Sequence, residues 1–326
     1  MKKIILIIAS LLIACNILFA TDKYAGESLN LGLGVKSMSM GNAFVAVADD
    51  PNAIYWNSAG LIQNNITINL SLMHSEQYAG VLKYDSFALS YPMHDEAVLG
   101  LLISRIGVGD IYFTELEDPN DTLSSQNPPI IESSENYSDF TTYLSYSSKF
   151  NEKISWGLVT KIIYKKIGNI SATGLGLDAG IMAHVNNNLR FGVNLRDIFG
   201  TRIWWKDSDN NIVKTNILAG IAFDFEMPIL KKSAVFSLQS DIFFEDREKS
   251  AQLHYKTLSS DFHAGLDLKL AEFISLSTGI EKNDFTAGIE ITYDRYKLNY
   301  GFYSQPEIDN SHRLSLGINL NKELIQ

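Results

Sequence analysis

The stretch FHAGLDLKL, residues 262–270, alternates strictly between two kinds of side chain. Its apolar side chains occupy positions 262, 264, 266, 268 and 270, and the positions between them hold His263, Gly265, Asp267 and Lys269. A period of two is the period of a β-strand, so all the apolar groups project to one face and the polar groups to the other. The stretch is therefore predicted to be a strand with one apolar and one polar face.

The same alternation recurs along the chain, for example at residues 175–184, 189–196, 285–293 and 313–320, and charged residues recur on its polar face. Repeated runs of about ten such residues are typical of transmembrane β-barrels. We predict an all-β fold, a transmembrane antiparallel β-barrel of about fourteen strands. The strands are placed at residues 66–74, 82–91, 97–105, 139–150, 154–165, 172–185, 188–197, 215–225, 234–244, 260–270, 273–281, 285–294, 296–303 and 312–320.

The connections between these strands alternate in length, as they do in bacterial barrels with short periplasmic turns and longer outer loops. Tight turns are predicted at residues 93–95, 151–153, 186–187, 271–272 and 294–295, and longer connections at 106–138, 166–171, 198–214 and 245–259, with the short 282–284 as an exception. A soluble β-sandwich is the alternative, but it would bury its apolar face against a second sheet and would not need this asymmetry. Aromatic residues near strand ends fit membrane-interface girdles, although Tyr and Phe favour strands generally.

The chain begins with Met1, Lys2 and Lys3, followed by an apolar run at residues 4–14 and a small residue at Ala20, which together predict a signal peptide at residues 1–20. Cys15 ends a sequence that resembles the lipobox of bacterial lipoproteins, but the apolar run continues to Ala20, so cleavage after Ala20 is favoured over lipidation at Cys15. No later window reaches the length of apolar sequence that a membrane-spanning helix needs, so any crossing must use strands.

The overall composition excludes several classes of protein. There are 27 basic and 37 acidic residues, a net charge of −10, which disfavours a nucleic-acid partner. The 36 aromatic residues (15 Tyr, 17 Phe and 4 Trp) and a mean hydropathy close to zero exclude disorder and a helical membrane protein. Cleavage at Ala20 would leave no cysteine, and hence no disulfide or thiolate metal site.

We found no pattern of catalytic or cofactor-binding residues. The six histidines show no metal-ligand spacing, the glycines match neither a Rossmann nor a P-loop pattern, and no Gly-x-Ser-x-Gly is present. We therefore expect a non-enzymatic protein with no cofactor and no metal. The alternative is an outer-membrane phospholipase that assembles Ser, His and Asn from different strands, which leaves no local signature.

Residues 21–65 lack strand alternation and contain SMSMGNAFVAVADD at 37–50, followed by PNAIYWNSAGL at 51–61. Both stretches resemble the start of the PorV/PorQ group of barrels and, more distantly, the FadL-type long-chain fatty-acid transporters. Asn57, Ala59, Gly60 and Leu61 match the Asn-Pro-Ala-Gly-Leu motif of that group, whereas Ser58 replaces its proline and leaves the turn less rigid. The final strand, at residues 312–318, is also similar to that of the group.

The FadL-type resemblance implies that residues near 24–63 form a hatch that plugs the lumen from the periplasmic side. A barrel of about fourteen strands is too wide for its own side chains to fill, which makes such a plug plausible; a capping helix is the alternative. The predicted organisation is thus a signal peptide at 1–20, a plug at 21–65 and a barrel at 66–326. The plug-motif residues are Gly41, Asp49, Asp50, Trp56, Asn57, Ser58, Ala59 and Gly60.

Charged residues on the polar faces of the strands are candidates to line a conduit or to contact the plug. They are Lys161, Asp178, Arg190, Arg196, Asp241, Asp267, Lys269 and Glu290. Both signs of charge occur, so most of them are expected to be structural ion pairs rather than ligand contacts.

The two resemblances imply two functions in the outer membrane, where lipid would surround the barrel. The FadL-type resemblance implies passage of a hydrophobic small molecule. The PorV resemblance implies a barrel that binds a secretion-system or surface protein. The sequence shows neither a continuous apolar tunnel nor a docking motif, so both functions stay open.

Overall fold

A computed structural model describes residues 26–64, 67–206, 209–228, 230–306 and 309–321. The predicted signal peptide at residues 1–20 and the alternative lipidation site Cys15 lie outside the described residues. So does Ile66, the first residue of the first predicted strand.

Fourteen long strands form one closed antiparallel wall, as predicted from the sequence. Each pairs with its neighbours along the chain, and β1 pairs with both β2 and β17, which closes the ring. The wall strands are β1 (Thr67–Gln77), β2 (Leu82–His94), β3 (Ala97–Leu116), β4 (Pro129–Asn151), β5 (Ile154–Ile167), β6 (Ile170–His184), β7 (Leu189–Arg196), β10 (Asn216–Met227), β11 (Lys232–Phe243), β13 (Leu258–Ala271), β14 (Ile274–Glu281), β15 (Asp284–Tyr293), β16 (Tyr296–Tyr303) and β17 (Ser311–Asn321). In the described parts of the connections lie the short strands β8 (Thr201–Trp205), β9 (Asn211–Val213) and β12 (Leu253–Tyr255).

The alternation of side chains places apolar groups outside and polar groups inside the ring. In β13, Phe262 is 45% exposed on the outer face, whereas its neighbour His263 is 5% exposed and faces inward. Similar exposed apolar residues occur on every part of the wall, for example Leu72, Ile103, Leu158, Ile181, Phe236, Leu298 and Leu316. An outer face of this kind matches the lipid-facing band of a transmembrane barrel.

The connections differ in length between the two ends of the barrel. At one end, tight turns join β2 to β3, β4 to β5, β13 to β14 and β15 to β16, as predicted. At the other end, two of the predicted long connections were wrong. Residues 166–171 form only a two-residue turn at Gly168, and most of 106–138 is strand, because β3 continues to Leu116 and β4 starts at Pro129.

The extensions of β3 and β4 form a two-stranded ribbon that stands beyond the wall, which we call the acidic ribbon (residues 109–136). These strands were not predicted, because neither has a consistently apolar face. Their Asp, Ser, Asn and Pro content indicated a loop instead. At about 3.3 Å per residue, the eight residues 109–116 extend about 26 Å past the last pairing of β3 with β2, which joins Leu82 and Val108.

The helices among the described residues are all short. Residues before β1 form a 3₁₀ turn at Glu27–Asn30, helix α1 at Val35–Ser39, helix α2 at Ala53–Trp56 and a 3₁₀ segment at Ser58–Asn64, and a further 3₁₀ turn lies at Glu248–Ser250. In the described part of the chain, none of the helices combines the length and the apolar character needed to cross a membrane.

Residues 26–64, which we call the inner segment, lie within the ring of strands. Residues 43–48 of this segment are completely buried, and its side chains belong to the same buried cluster as inward residues of the wall such as Tyr84, Leu102 and Tyr143. It forms hydrogen bonds with strands on all sides, from β4 and β5 through β7, β11 and β15 to β17. The core of this protein is therefore the interface between the inner segment and the wall.

Candidate functional site: the inner segment and the lumen

Arg313 on β17 holds the first part of the inner segment. Its guanidinium donates hydrogen bonds to the carbonyl oxygens of Leu31 and Gly32 at 3.1 Å and of Gly34 at 3.4 Å, and the side chain is only 2% exposed. A planar group with several donors suits these closely spaced carbonyls. Those of Leu31 and Gly32 lie outside regular secondary structure, whereas that of Gly34 also accepts the Met38 N–H of helix α1 at 3.4 Å.

Helix α2 presents its aromatic pair to Arg196, one of the predicted lumen residues. The Arg196 guanidinium lies 4.2 Å from the ring centre of Tyr55 and 5.2 Å from that of Trp56, and it donates to the Tyr55 carbonyl at 3.1 Å. Trp56 in turn donates its indole N–H to the Leu33 carbonyl at 2.7 Å. Tyr55, the predicted plug-motif residue Trp56 and the predicted lumen residue Arg196 therefore form one buried contact between the inner segment and β7.

The motif at residues 57–60 forms hydrogen bonds with three strands of the wall, β4, β5 and β6. The Asn57 amide donates to the Val45 carbonyl at 2.9 Å and to the Ile181 carbonyl of β6 at 3.1 Å. The carbonyls of Ser58 and Ala59 accept hydrogen bonds from the hydroxyls of Ser147 and Ser155, at 2.6 and 2.8 Å.

Gly60 in the same motif has no room for a side chain. A Cβ there would lie 2.2 Å from the Ala48 carbonyl oxygen. The small residues of the motif thus permit backbone contacts that larger side chains would prevent.

Gly41 lies directly against the wall, on the opposite side of the barrel from residues 57–60. Its φ of +62° lies in the left-handed region, and a Cβ would be 2.5 Å from the Ile280 carbonyl oxygen of β14. Its backbone N–H donates to Thr286 at 3.0 Å, and its carbonyl lies 2.9 Å from the His263 ring. Both the conformation and the close approach require glycine here.

Glycines of the wall meet the inner segment in the same way. A Cβ on Gly192 would lie 2.1 Å from the Val45 carbonyl oxygen, and one on Gly265 would lie 2.3 Å from the Met40 carbonyl oxygen. Gly192 is paired with Gly220 across β7 and β10, and Gly265 with Gly279 across β13 and β14. The inner segment therefore lies directly against the backbone of the wall over a large part of the ring.

Two polar cavities lie between the inner segment and the half of the wall that carries the tight turns. The smaller, of about 240 Å³, is lined by Lys36, Asp49, Asp50, Glu290 and Lys297 among others. The larger, of about 790 Å³, is lined in part by Lys36, Asp224, Asp267, Lys269 and Glu290. Three of the predicted lumen residues, Asp267, Lys269 and Glu290, thus lie beside the predicted plug-motif acids or their lysine partner.

Lys36 organises the charges of these cavities. Its ammonium lies 2.6 Å from Asp49 and 3.7 Å from Asp267. Burial alone would lower the pKa of Lys36, but these carboxylates hold it above its usual value. Burial would raise the pKa of Asp49, yet Lys36 keeps it below its usual value. Asp50 differs, because burial and the adjacent negative charge of Asp49 raise its pKa to about 6.

Other predicted lumen residues form ion pairs with the wall or the inner segment. Lys161 lies 2.8 Å from Asp178 and also contacts Asp197, with all three side chains almost fully buried. Arg190 pairs with Asp224 at 3.0 Å and donates to Gln63 of the inner segment, also at 3.0 Å.

The remaining predicted lumen residues have smaller networks. Asp241 accepts a hydrogen bond from Gln239 at 2.7 Å and lies 3.5 Å from His263. Asp267 accepts from Ser277 at 2.7 Å, and Glu290 lies 3.6 Å from Lys297. Lys269 is exposed to the larger cavity.

Several residues that hold the inner segment were not singled out from the sequence, namely Arg313, Gln239, Thr286, Ser147 and Ser155. Each occupies an inward position of a predicted strand, so the alternation gave their orientation but not their partners. The only available signal was a polar residue on the inward face, which many positions share.

The described part of the chain contains no cluster of three or more His, Cys, Asp or Glu side chains that could hold a metal ion. Two apolar grooves, of about 540 and 530 Å³, lie on the outer face of the wall. The first is lined by Phe191, Leu238 and Phe262, and the second by Leu72 and Leu298, among others.

Comparisons with known proteins give similarity in structure only. No protein-family model matches the chain, and no curated protein matches it. Among solved structures, the toluene transporter TbuX of Ralstonia pickettii has a TM-score of 0.60 at 13% identity, and the match covers 89% of this chain and 98% of TbuX. The monoaromatic hydrocarbon channel CymD has a TM-score of 0.60 at 12% identity, with the same coverage of both chains. The toluene transporter TodX of Pseudomonas putida has a TM-score of 0.56 at 12% identity, again covering 89% and 98%. The chain therefore shares the barrel fold of these hydrocarbon transporters and channels.

Proposed function

We propose that this protein is an outer-membrane barrel that allows hydrophobic small molecules to cross, with the inner segment acting as a plug. The observation that carries the proposal is the match of the barrel to almost the full length of TbuX and CymD, whose names specify toluene and monoaromatic hydrocarbons. The FadL-type resemblance of residues 37–61 supports the same class of substrate. The apolar outer face supports a place in the membrane.

The contacts of the inner segment support a plug that stays in the lumen. Withdrawal of the whole segment would break the hydrogen bonds to Arg313, Thr286, Gln239 and Ser147, and would expose residues 43–48, which are completely buried. Each of these hydrogen bonds contributes about 0.5–3 kcal/mol net, the largest values being those with a charged donor. We therefore propose that passage needs only local rearrangement around the inner segment.

Uptake of a labelled hydrocarbon by whole cells tests this function. Cells that make the protein, and cells that carry the empty vector, are supplied with radiolabelled toluene or radiolabelled glucose. We expect faster initial uptake of toluene, and no change for glucose, because the plug excludes a water-filled pore. Equal toluene uptake by both cell types would overturn the proposal. Faster glucose uptake would overturn the plug.

A second candidate function is a protein-binding barrel of a secretion system, as the PorV/PorQ resemblance implies. The acidic ribbon favours it, because the ribbon stands clear of the wall and exposes large apolar side chains, including Tyr112 and Ile131. Passage of small molecules does not require such a projection.

A further inference from the structure

The acidic ribbon, residues 109–136, has two free edges. Pairing of β2 with β3 ends at Leu82 and Val108, and pairing of β4 with β5 ends at Tyr137 and Ile167. Beyond these points β3 and β4 pair only with each other, up to Leu116 and Pro129. Both outer edges of the ribbon therefore present backbone N–H and C=O groups to which another strand could pair.

The charge of the ribbon has a single sign. It carries seven acidic residues and no Lys, Arg or His, so it accounts for most of the net charge of −10. Glu135 is half-buried and the other six are exposed: Asp110, Glu115, Glu117, Asp118, Asp121 and Glu132. None of the seven forms an ion pair with any residue that the structure describes. Their charge is therefore not neutralised by the part of the protein that the structure describes.

Large apolar side chains are exposed between these acids. Tyr112 is 58% exposed, Phe113 45%, Leu123 71% and Ile131 61%. A two-stranded ribbon without a packed face is marginally stable in water, and exposed apolar groups of this size mark interaction surfaces. The ribbon therefore has the apolar side chains and the free edges of a surface that a further strand would cover.

Charge decides which occupant fits. A second copy of the chain would bring another seven acids to the ribbon, and an anionic lipid surface would also be repelled. A basic segment would neutralise the acids, and its cations could lie on the rings of Tyr112 and Phe113. Addition of a strand to a free sheet edge is an established mode of peptide recognition.

We propose that the acidic ribbon docks a basic, extended segment of a partner protein, which adds to the ribbon as a third strand. This inference names the partner chemistry of the second candidate function and rests on that function. It does not depend on the passage of hydrophobic molecules, so toluene uptake and partner docking can fail separately.

Three synthetic ten-residue peptides test the proposal by fluorescence anisotropy with the purified full-length protein in detergent. One alternates Lys and Val, and one alternates Glu and Val. The third, the Lys-Pro peptide, has five Lys and five Pro in the order Lys-Lys-Pro-Pro, so it keeps the charge but interrupts the backbone N–H donors on both edges of a strand. The ribbon variant carries Glu115→Gln, Glu117→Gln, Asp121→Asn and Glu132→Gln. The matched control removes four exposed acids from the tight-turn end, through Glu96→Gln, Glu152→Gln, Glu226→Gln and Glu272→Gln.

We expect the Lys-Val peptide to bind the wild-type protein, and the Glu-Val peptide not to bind. Binding should weaken about tenfold in the ribbon variant and less than about twofold in the control, because four exposed charge pairs at the docking site are lost only in the former. The Lys-Pro peptide should bind about tenfold more weakly than Lys-Val. The shift in gel mobility between heated and unheated samples shows that each variant retains the barrel.

Three results would overturn the proposal. Equal weakening in the two variants would show attraction to overall charge only, and equal binding of the Lys-Pro peptide would exclude strand addition. Calcium-dependent binding to lipopolysaccharide vesicles that is lost only in the ribbon variant would assign the ribbon to a lipid surface instead.

Discussion

Arg313→Met should loosen the inner segment without removing bulk from the core. The substitution removes the Arg313 donor from the buried carbonyls of Leu31 and Gly32, whereas the Gly34 carbonyl keeps its hydrogen bonds from Met38 and Ser37. A hydrogen bond from a charged donor contributes about 1.5–3 kcal/mol, but the three bonds share one group and are not additive, so we expect a loss of about 3–5 kcal/mol. A loss of about 3 kcal/mol raises the population with a displaced segment more than about 100-fold.

Conductance in planar lipid bilayers measures this displacement, because a displaced segment opens a water-filled lumen. We expect open-channel events to be about 100-fold more frequent for Arg313→Met than for the wild-type protein. Arg295→Met is the matched control, since it removes the same charge from an exposed turn where Arg295 forms an ion pair with the adjacent Asp294. Equal conductance of the two variants would refute the anchoring role of Arg313.

Three further substitutions test other contacts of the inner segment and the wall. Gly41→Ala places a methyl group 2.5 Å from a carbonyl oxygen of the wall. Gly80→Ala is the control, because Gly80 also has a positive φ but its new methyl group would lie 4.0 Å from the nearest atom. Gly41→Ala should therefore lower the urea midpoint of unfolding more than Gly80→Ala does. Lys161→Met removes the cation shared by the buried carboxylates of Asp178 and Asp197, and it should lower the free energy of unfolding by about 3–5 kcal/mol. Lys269→Met, at an exposed lumen lysine, should lower it by less than about 1 kcal/mol in the same thermal or urea measurement. Similar losses in the two variants would contradict a stabilising role for the buried Lys161 ion pairs. The pKa of Asp50 is raised to about 6, so its carboxyl stabilises the folded state below its ordinary pKa and this contribution is lost as pH rises through about 6. Asp50→Asn should therefore raise the urea midpoint at pH 7 more than at pH 4, and a uniform change would contradict the raised pKa.

The strands were predictable because the physics of a barrel wall acts on every second residue. Lipid on one side and a polar interior on the other impose the alternation seen at 262–270, and each of the fourteen predicted strands overlaps one strand of the wall. The acidic ribbon was missed because water surrounds both of its faces. Without two unlike environments, residues such as Tyr112 and Glu132 carry no period that distinguishes a strand from a loop.

The partners within the lumen were not predictable, because they join residues far apart in the chain. The alternation placed Arg196 and Asp178 on the polar face, but their contacts with Tyr55 and Lys161 depend on how the strands are ordered around the ring. Gly41 could be recognised from the PorV/PorQ resemblance, whereas its close approach to Ile280 spans more than two hundred residues of sequence. Such contacts require the register of every strand between them.

Toluene uptake with the inner segment locked to the wall tests most directly whether molecules pass while the plug stays in place. The double variant Ser39→Cys/Gly301→Cys is designed to join the inner segment to β16 by a disulfide. A Cβ added at residue 301 would lie 2.9 Å from the Ser39 hydroxyl oxygen. Its nearest neighbour would be the terminal methyl group of Met38, a flexible side chain that can move away. The geometry suits a disulfide, and Cys15 is the sole native cysteine. We expect the oxidised, locked protein to take up radiolabelled toluene as fast as its reduced form, and both to exceed the empty vector. Uptake that is abolished by oxidation and restored by reduction would contradict passage around a resident plug.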